Sequence, residues 1–256
     1  MGANCHYTGA GPTTESALFD RKNMLSRVWY HDYLGNVTSE SGIDYVLGET
    51  NSISCQGSFN ISDVMASAVW AVDYVMYLSS LKVSRVHFHM GTRYRYSPWQ
   101  PVFYNDTDPH VKPLYYGNLF SAAVFAGGDK QTEVLVNETH FGAYAVYKAG
   151  TKTLESVVAV NLNVWNSTMD PVKRPYTALM LPEHSANAKG NSFLGALWEK
   201  AKVIRLTNPG IDIADNITLA GQTVDKKGKI VGKRVYDKVV DGKVLVGAGE
   251  AVLIRL

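Results

Sequence analysis

The chain has 256 residues, 46% hydrophobic and 19% charged, with a formal net charge of +2. These are ordinary values for a packed globular protein and exclude a disordered chain, and so small a charge excludes the broad basic surface of a nucleic-acid-binding protein. The most apolar run, Val64 to Leu78, is interrupted by Ser67 and Asp73 and falls short of the roughly 20 residues a bilayer span needs, so no membrane association is expected.

Residues 13–29 place Ala17, Leu18, Met24, Leu25 and Val28 at helical spacing behind a Gly-Pro turn and threonines suited to capping, which predicts a helix. A strand is expected from Asp44 to Gly48. Its apolar run of Ile43, Tyr45, Val46 and Leu47, broken only by Asp44, suits a strand buried on both faces. It stops at Gly48, where the backbone is free to approach a ligand, and then presents the carboxylate Glu49 and the small polar residues of YVLGETNS. Ser62 or Asp63 is expected to cap a helix through about Ser80 that is apolar over most of its circumference. Val83 to His89 alternates and is rich in β-branched and aromatic residues, as a strand requires. Pro113 to Ala126 predicts a last helix, stopped by Gly127-Gly128.

Beyond Gly128 the period changes to two. Val158, Val160, Leu162 and Val164 alternate with Asn161 and Asn163, which predicts a strand with one face in water. Short strands are expected at 178–181, 202–206, 217–220, 243–246 and 251–256, with a hairpin turn at Asp241-Gly242, and this spacing indicates a β-sandwich. Lys226, Lys227, Lys229, Lys233 and Arg234 cluster, but Gly228 and Gly232 interleave them as hairpin turns, so they read as a solvated face.

Sequons at Asn36, Asn60, Asn105, Asn137, Asn166 and Asn216 predict N-glycans and an extracellular parent protein. Met1-Gly-Ala-Asn-Cys has neither a basic segment nor an apolar stretch, so no signal peptide is expected in this sequence. The cysteines are Cys5 and Cys55. A bridge closing about 50 residues contributes about 4 kcal/mol in the chain-entropy model, and a disulfide and two free thiols both stay open. No spaced His or Cys cluster supplies a metal site, and no cofactor is expected.

Four blocks of the sequence together resemble glycoside hydrolase family 79, the β-glucuronidases and heparanase-like enzymes, and especially its fungal members. They are NCHYTG at Asn4 to Gly9, YVLGETNSISCQG at Tyr45 to Gly57, SRVHFHMGTRYRYSPWQP at Ser84 to Pro101 with PLYYGNLF at Pro113 to Phe120, and the closing TLAGQTVD and AGEAVLIRL. The resemblance implies an α/β plus all-β chain: residues 1–128 as the last strands and helices of a (β/α)8 barrel, starting at its sixth strand, and residues 129–256 as a β-sandwich. A whole barrel takes about 250 residues, so most of it is expected upstream of Met1.

By this resemblance Glu49 is the nucleophile of a retaining β-glucuronidase-like enzyme acting on a β-glucuronide or related glycan. The family's general acid/base follows an asparagine on the fourth barrel strand. The Asn-Glu pair here, Asn137-Glu138, lies past the last barrel helix, so the chain is expected to lack the acid/base and to be inactive alone. Tyr7 matches a tyrosine that orients the nucleophile, whereas Cys5 stands where the family has a histidine, which leaves His6 open between a sugar contact and a packed core residue. Where heparanase-type members place a tyrosine five residues after the nucleophile, this chain has Ser54, so recognition of the sugar carboxylate is expected from Gly91, Tyr94 or Tyr96, with Asn51 and Ser54. Arg93 and Arg95 are alternative carboxylate clamps or solvent-facing residues, and Trp99 is a sugar platform or a packing residue. The competing reading is a non-catalytic carbohydrate-binding or interaction remnant of the same family.

Overall fold

A computed structural model of the protein describes residues 13–182 and 198–256. A short helical turn, Glu15–Phe19, leads into α1 (Arg21–Val28) and α2 (Tyr30–Glu40). The single helix expected over 13–29 is therefore divided, and α2 is an element the periodicity did not show. The break has a local cause: Asp20 leaves the helical region and its carboxylate accepts from the backbone N–H groups of Lys22 and Asn23, so it ends one helix and caps the next.

Strand β1 (Tyr45–Thr50) runs parallel to β2 (Val83–Phe88), with Leu47 opposite Val86 and Thr50 opposite Phe88. Helix α3 (Met65–Ser80) connects them, as a parallel pair requires. Tyr45 and Leu47 pack against the core, but Val46, Gly48 and Glu49 are exposed, so β1 is covered on one face and not, as expected, on both.

Neither Ser62 nor Asp63 caps α3 as expected. Val64 occupies the cap position without a side-chain bond, and the first helical N–H groups, those of Met65 and Ala66, donate to the carbonyls of Ile213 and Ile211 at 2.9 and 3.0 Å. The loop 211–213 thus supplies the acceptors that a capping side chain otherwise would. Ser62 Oγ instead receives bonds from Ser52 Oγ and the Ser58 N–H. After a small ribbon, β3 (Trp99–Gln100) with β4 (His110–Val111), comes α4 (Pro113–Val124), with proline at its first turn and Gly127 and Gly128 at positive φ beyond its end, as the sequence predicts.

The remaining strands are β5 (Lys130–Asn137), β6 (Phe141–Lys148), β7 (Leu154–Asn161), β8 (Tyr176–Met180), β9 (Lys202–Thr207), β10 (Thr218–Leu219), β11 (Thr223–Val224), β12 (Ile230–Val231), β13 (Lys243–Gly247) and β14 (Glu250–Arg255). Six of them form one sheet in the order β10-β9-β14-β7-β6-β5, while β13 pairs with β8 and β11 with β12. Asp241 and Gly242 both take positive φ in the turn before β13, as its sequence signal requires.

One face of the six-stranded sheet packs against α3 and α4 through Tyr144, Val146, Val158, Val160, Leu206 and Leu253. The other packs against β8 and β13 through Ala143, Val157, Ala159, Val203, Val252 and Ile254. Strand β7 is therefore buried on both faces and ends at Asn161; of the two asparagines expected on a wet face, only Asn163, past the end of the strand, is exposed. Its asparagine is absorbed by hydrogen bonding: buried Asn161 donates to the Val246 carbonyl at 2.9 Å and to Thr177 Oγ1 at 3.2 Å. The one carboxylate of β14, Glu250, is likewise buried and matched, with Arg205 at 3.3 Å, Arg174 at 3.5 Å and the Thr207 hydroxyl donating at 2.6 Å.

The helical layer is pinned to the sheet by a buried charge cluster. Arg21 Nε donates to Asp73 Oδ2 at 2.9 Å, Arg21 Nη2 donates to Tyr144 Oη at 2.9 Å, and the Tyr144 hydroxyl donates to Asp73 Oδ1 at 2.6 Å. Arg21 Nη1 donates further to Asn137 Oδ1 at 2.6 Å and to the Glu138 carbonyl at 3.1 Å, in the β5–β6 turn. Burial opposes the Arg21 charge, but Asp73 and Tyr144 outweigh it and raise its pKa; burial also pushes the Tyr144 hydroxyl well up, with Asp73 adding to the shift. Removing one partner of such a set strands the other in a dry interior, at a cost of about 3–5 kcal/mol.

Asp73→Ala is accordingly expected to lower the unfolding free energy by about 3–5 kcal/mol in urea titration. Gly142→Ala is expected to be destabilising as well, since its Cβ falls 2.5 Å from Asp73 Oδ1. Unfolding midpoints like the parent's in both variants would remove this cluster from its structural role.

A second expectation concerns pH. Buried His31 bonds through Nδ1 to the Tyr45 hydroxyl at 2.6 Å, and burial lowers its pKa. The unfolded chain then takes up this proton first. Stability is intact above the ordinary histidine value of about 6.5 and is lost as pH falls through that value toward the lower folded one. His31→Gln is expected to flatten this part of the stability–pH curve, and an unchanged slope would refute the assignment.

Candidate active site

The candidate site lies where β1 and β2 end. Parallel pairing brings both carboxyl ends to the same edge, and the ladder continues one step further through the His89 N–H, which donates to the Thr50 carbonyl at 2.9 Å. Glu49, the penultimate residue of β1, and His89, the first residue past β2, therefore stand side by side. The Glu49 side chain is 73% exposed, and its Oε1 is 3.9 Å from His89 Nδ1. Gly48 has open space on its Cβ side, so no protein atom crowds the backbone there.

The two exit loops are tied together by Asn51. Its side-chain amide donates to the carbonyls of His89 at 2.8 Å and Tyr96 at 3.3 Å, while its Oδ1 accepts from the Ser52 N–H. Asn51 thus reaches the residues with which the sequence grouped it, as a brace for their main chain. The loop from Gly91 to Ser97 is compact. Ser97 Oγ donates to the Gly91 carbonyl at 2.7 Å and accepts from the Gly91 N–H, and a Cβ on Gly91 would strike the Tyr94 ring at 2.6 Å. Lys112 Nζ, its pKa lowered by burial and partly restored by Asp63, donates to the Tyr94 carbonyl at 2.9 Å.

Inside this loop Tyr94, Tyr96 and His89 form an aromatic corner. The rings of Tyr94 and Tyr96 meet edge to face at 5.8 Å, and His89 lies 5.2 Å from the first and 5.9 Å from the second. Tyr96 is buried, and its hydroxyl is 2.7 Å from His89 Nδ1. Burial raises the Tyr96 pKa, with the neighbouring Tyr94 and Glu49 adding to the effect, so the phenol keeps its proton and remains a donor.

The structure thus brings Glu49, Asn51, Gly91, Tyr94 and Tyr96 to one edge. Tyr7 and His6 lie outside the described residues, as does Cys5. Cys55 is disulfide-bonded, which excludes the free-thiol alternative for it, and it begins a run of positive φ through Gln56 and Gly57. Arg93 lies over the Tyr104 ring at 4.7 Å and Arg95 reaches the Gly57 carbonyl at 3.5 Å, so each has a structural partner. Trp99 packs edge-on against Tyr115 at 6.3 Å and stays partly exposed. Among the described residues no group of three or more His, Cys, Asp or Glu is placed to hold a metal ion. His89 is the member that sequence reasoning missed. Its signal was its position, one residue past a strand that pairs in parallel with the strand carrying Glu49.

Residues 143–253 match the family model of the glycosyl hydrolase family 79 C-terminal beta domain. A β-glucuronidase of Aspergillus niger is 35% identical over 168 residues, 63% of this chain and 30% of the relative. One of Neurospora crassa is 35% identical over 136 residues, 48% of this chain and 24% of the relative. In both cases the match spans less than a third of the curated relative's length. Among solved structures, a 4-O-α-L-rhamnosyl-β-D-glucuronidase from Fusarium oxysporum 12S, in complex with Rha-GlcA, shares the fold at a TM-score of 0.72 and 23% identity, over 94% of this chain and 49% of that one. Over residues 143–253 the chain carries a β domain of the glycoside hydrolases. It is the C-terminal β domain of glycoside hydrolase family 79.

The brace at Asn51 is testable by itself. Asn51→Ala leaves the His89 and Tyr96 carbonyls without their partner and is expected to cost about 1–3 kcal/mol. Amide hydrogen exchange should then accelerate across residues 89–97 while β6 and β7 stay protected. Unchanged exchange in that loop would mean that Asn51 does not hold it.

Proposed function

We propose that this chain is the C-terminal part of a retaining β-glucuronidase-like glycoside hydrolase, with Glu49 as its nucleophile. One observation carries the reading: an exposed carboxylate at the carboxyl end of a parallel strand, facing an aromatic corner of histidine and tyrosines built by the next strand's exit loop. Active sites of α/β barrels occupy that end of their strands, because the loops there are free to vary while the strands hold the groups in place. In this reading β1, α3, β2 and α4 belong to the last part of a (β/α)8 barrel spanning residues 1–128, and the bare face of β1 is the side the rest of the barrel covers. Residues 129–256 form the β domain, and the parent enzyme is extracellular and N-glycosylated.

Retention needs a second carboxyl about 5–5.5 Å from the nucleophile, to protonate the leaving oxygen and then deprotonate water. We assign that group to a part of the parent enzyme outside these residues, since Glu138 of the one Asn-Glu pair sits in the β5–β6 turn clasped by Arg21. The chain alone is then expected to show no turnover of an aryl β-glucuronide. Tyr94 and Tyr96, with the Gly91 backbone, are the groups for the sugar carboxylate, and Asn51 and Tyr7 support them and the nucleophile.

The test is covalent. In a fusion that adds the N-terminal part of a close relative, a mechanism-based fluorinated glucuronide should label Glu49, as read by peptide mass mapping, with overall retention of configuration. Glu49→Gln should abolish labelling and lower turnover on the order of 10⁴-fold or more. Label on another residue of an active fusion would overturn the assignment. Retained sugar binding by a fusion with no turnover would favour the non-catalytic alternative.

A further inference from the structure

His89 Nδ1 faces two oxygens at once, the Tyr96 hydroxyl at 2.7 Å and Glu49 Oε1 at 3.9 Å. Only the first is short enough for a hydrogen bond, and its direction decides what Tyr96 can do. A phenol carries one proton and a neutral imidazole one N–H. With the imidazole proton on Nε2, Tyr96 spends its O–H on bare Nδ1 and has no donor left for the site. With the proton on Nδ1, the ring donates to the phenol oxygen, and the Tyr96 O–H turns to a third acceptor.

The surroundings select between the two. A bare Nδ1 would set its lone pair 3.9 Å from a carboxylate oxygen, whereas Nδ1–H is attracted to both oxygens near it. The ring is held in that pose by Tyr94 and Tyr96, whose centroids lie 5.2 and 5.9 Å away. Asn51 ties together the main chains of both partners, through the His89 and Tyr96 carbonyls.

We infer that His89 carries its proton on Nδ1 and is a positioning residue, turning the Tyr96 O–H outward as the donor to an anionic group of the bound sugar. This rests on the reading that Glu49 faces a sugar acid, and it deepens that reading by saying how a neutral phenol is made an obligate donor. His89 acts through Tyr96 and takes no proton from the substrate.

Histidine-selective ¹⁵N NMR of the full chain, at mildly alkaline pH where imidazoles are neutral, reads the tautomer directly. The His89 signal, identified by its loss in His89→Asn, should show the Nδ1–H pattern in the parent and move toward Nε2–H in Glu49→Ala. A parent signal in the Nε2–H pattern, or one indifferent to Glu49→Ala, overturns the inference. Calorimetry with glucuronic acid and glucose provides the second arm. His89→Asn, which keeps an amide N–H near the Nδ1 position, should retain the parent's preference for the acid, and His89→Phe should lose it by about tenfold or more. Equal preference in the two variants refutes the positioning role. An Nδ1–H signal in a chain that binds neither sugar refutes the sugar-acid reading, and with it the outward donation, while leaving the tautomer established; failure of Glu49 to take a covalent label would strike the nucleophile assignment alone.

Discussion

A buried guanidinium joins the helical layer of this protein to its six-stranded sheet. Arg21 stands at the start of α1, Asp73 in the middle of α3 and Tyr144 in the middle of β6, and the three meet in a space closed to water. Taking a charge into such a place costs several kcal/mol unless every donor finds an acceptor, so the cluster tolerates little displacement of any member. Arg21 also bonds to Asn137 and the Glu138 carbonyl, its own N–H donates to the Thr139 carbonyl, and His140 reaches back to the Phe19 carbonyl. The β5–β6 turn is thereby fitted to the entrance of the helical layer. Gly142 is required beside it because any Cβ there would enter the space of the carboxylate.

The helices and the sheet consequently share one core. Met65, Val69, Val72 and Met76 of α3 belong to the same apolar cluster as Tyr144, Val158 and Leu253 of the sheet. The amino end of α3 is closed by carbonyls from the 211–213 loop, so even the hydrogen-bond inventory of that helix is completed across the interface. This matters for the candidate site because α3 connects β1 to β2. A helix held from both sides fixes the spacing and direction of the two strands, and hence the place where Glu49 and His89 meet.

The site is a case of rigid main chain presenting exposed side chains. Asn51, Ser97 and Lys112 donate to backbone carbonyls of the loop after β2, which holds the rings of Tyr94, Tyr96 and His89 in place. The Glu49 carboxylate stays largely in water, while burial keeps the neighbouring phenol protonated. A carboxylate in water beside a phenol that burial keeps protonated is the kind of contrast from which acid–base and recognition roles can be separated.

Much of this was legible in the sequence. The apolar run ending at Gly48, the alternation over Val83 to His89, the proline and paired glycines around α4 and the Asp241-Gly242 turn each act through neighbours in the chain, and each produced the element expected. What failed depended on contacts distant in sequence. Strand β7 has an alternating pattern, yet β8 and β13 cover the face that pattern assigned to water. The helix over 13–29 is the exception, broken locally where Asp20 leaves the helical region and caps a new start. The place of Glu49 at a strand end was legible in the sequence, but the brace made by Asn51 and the nearness of His89 to Glu49 were not. Both follow from the register of two parallel strands and the folding of a loop back over them, and no local pattern records which side chains such a register places together.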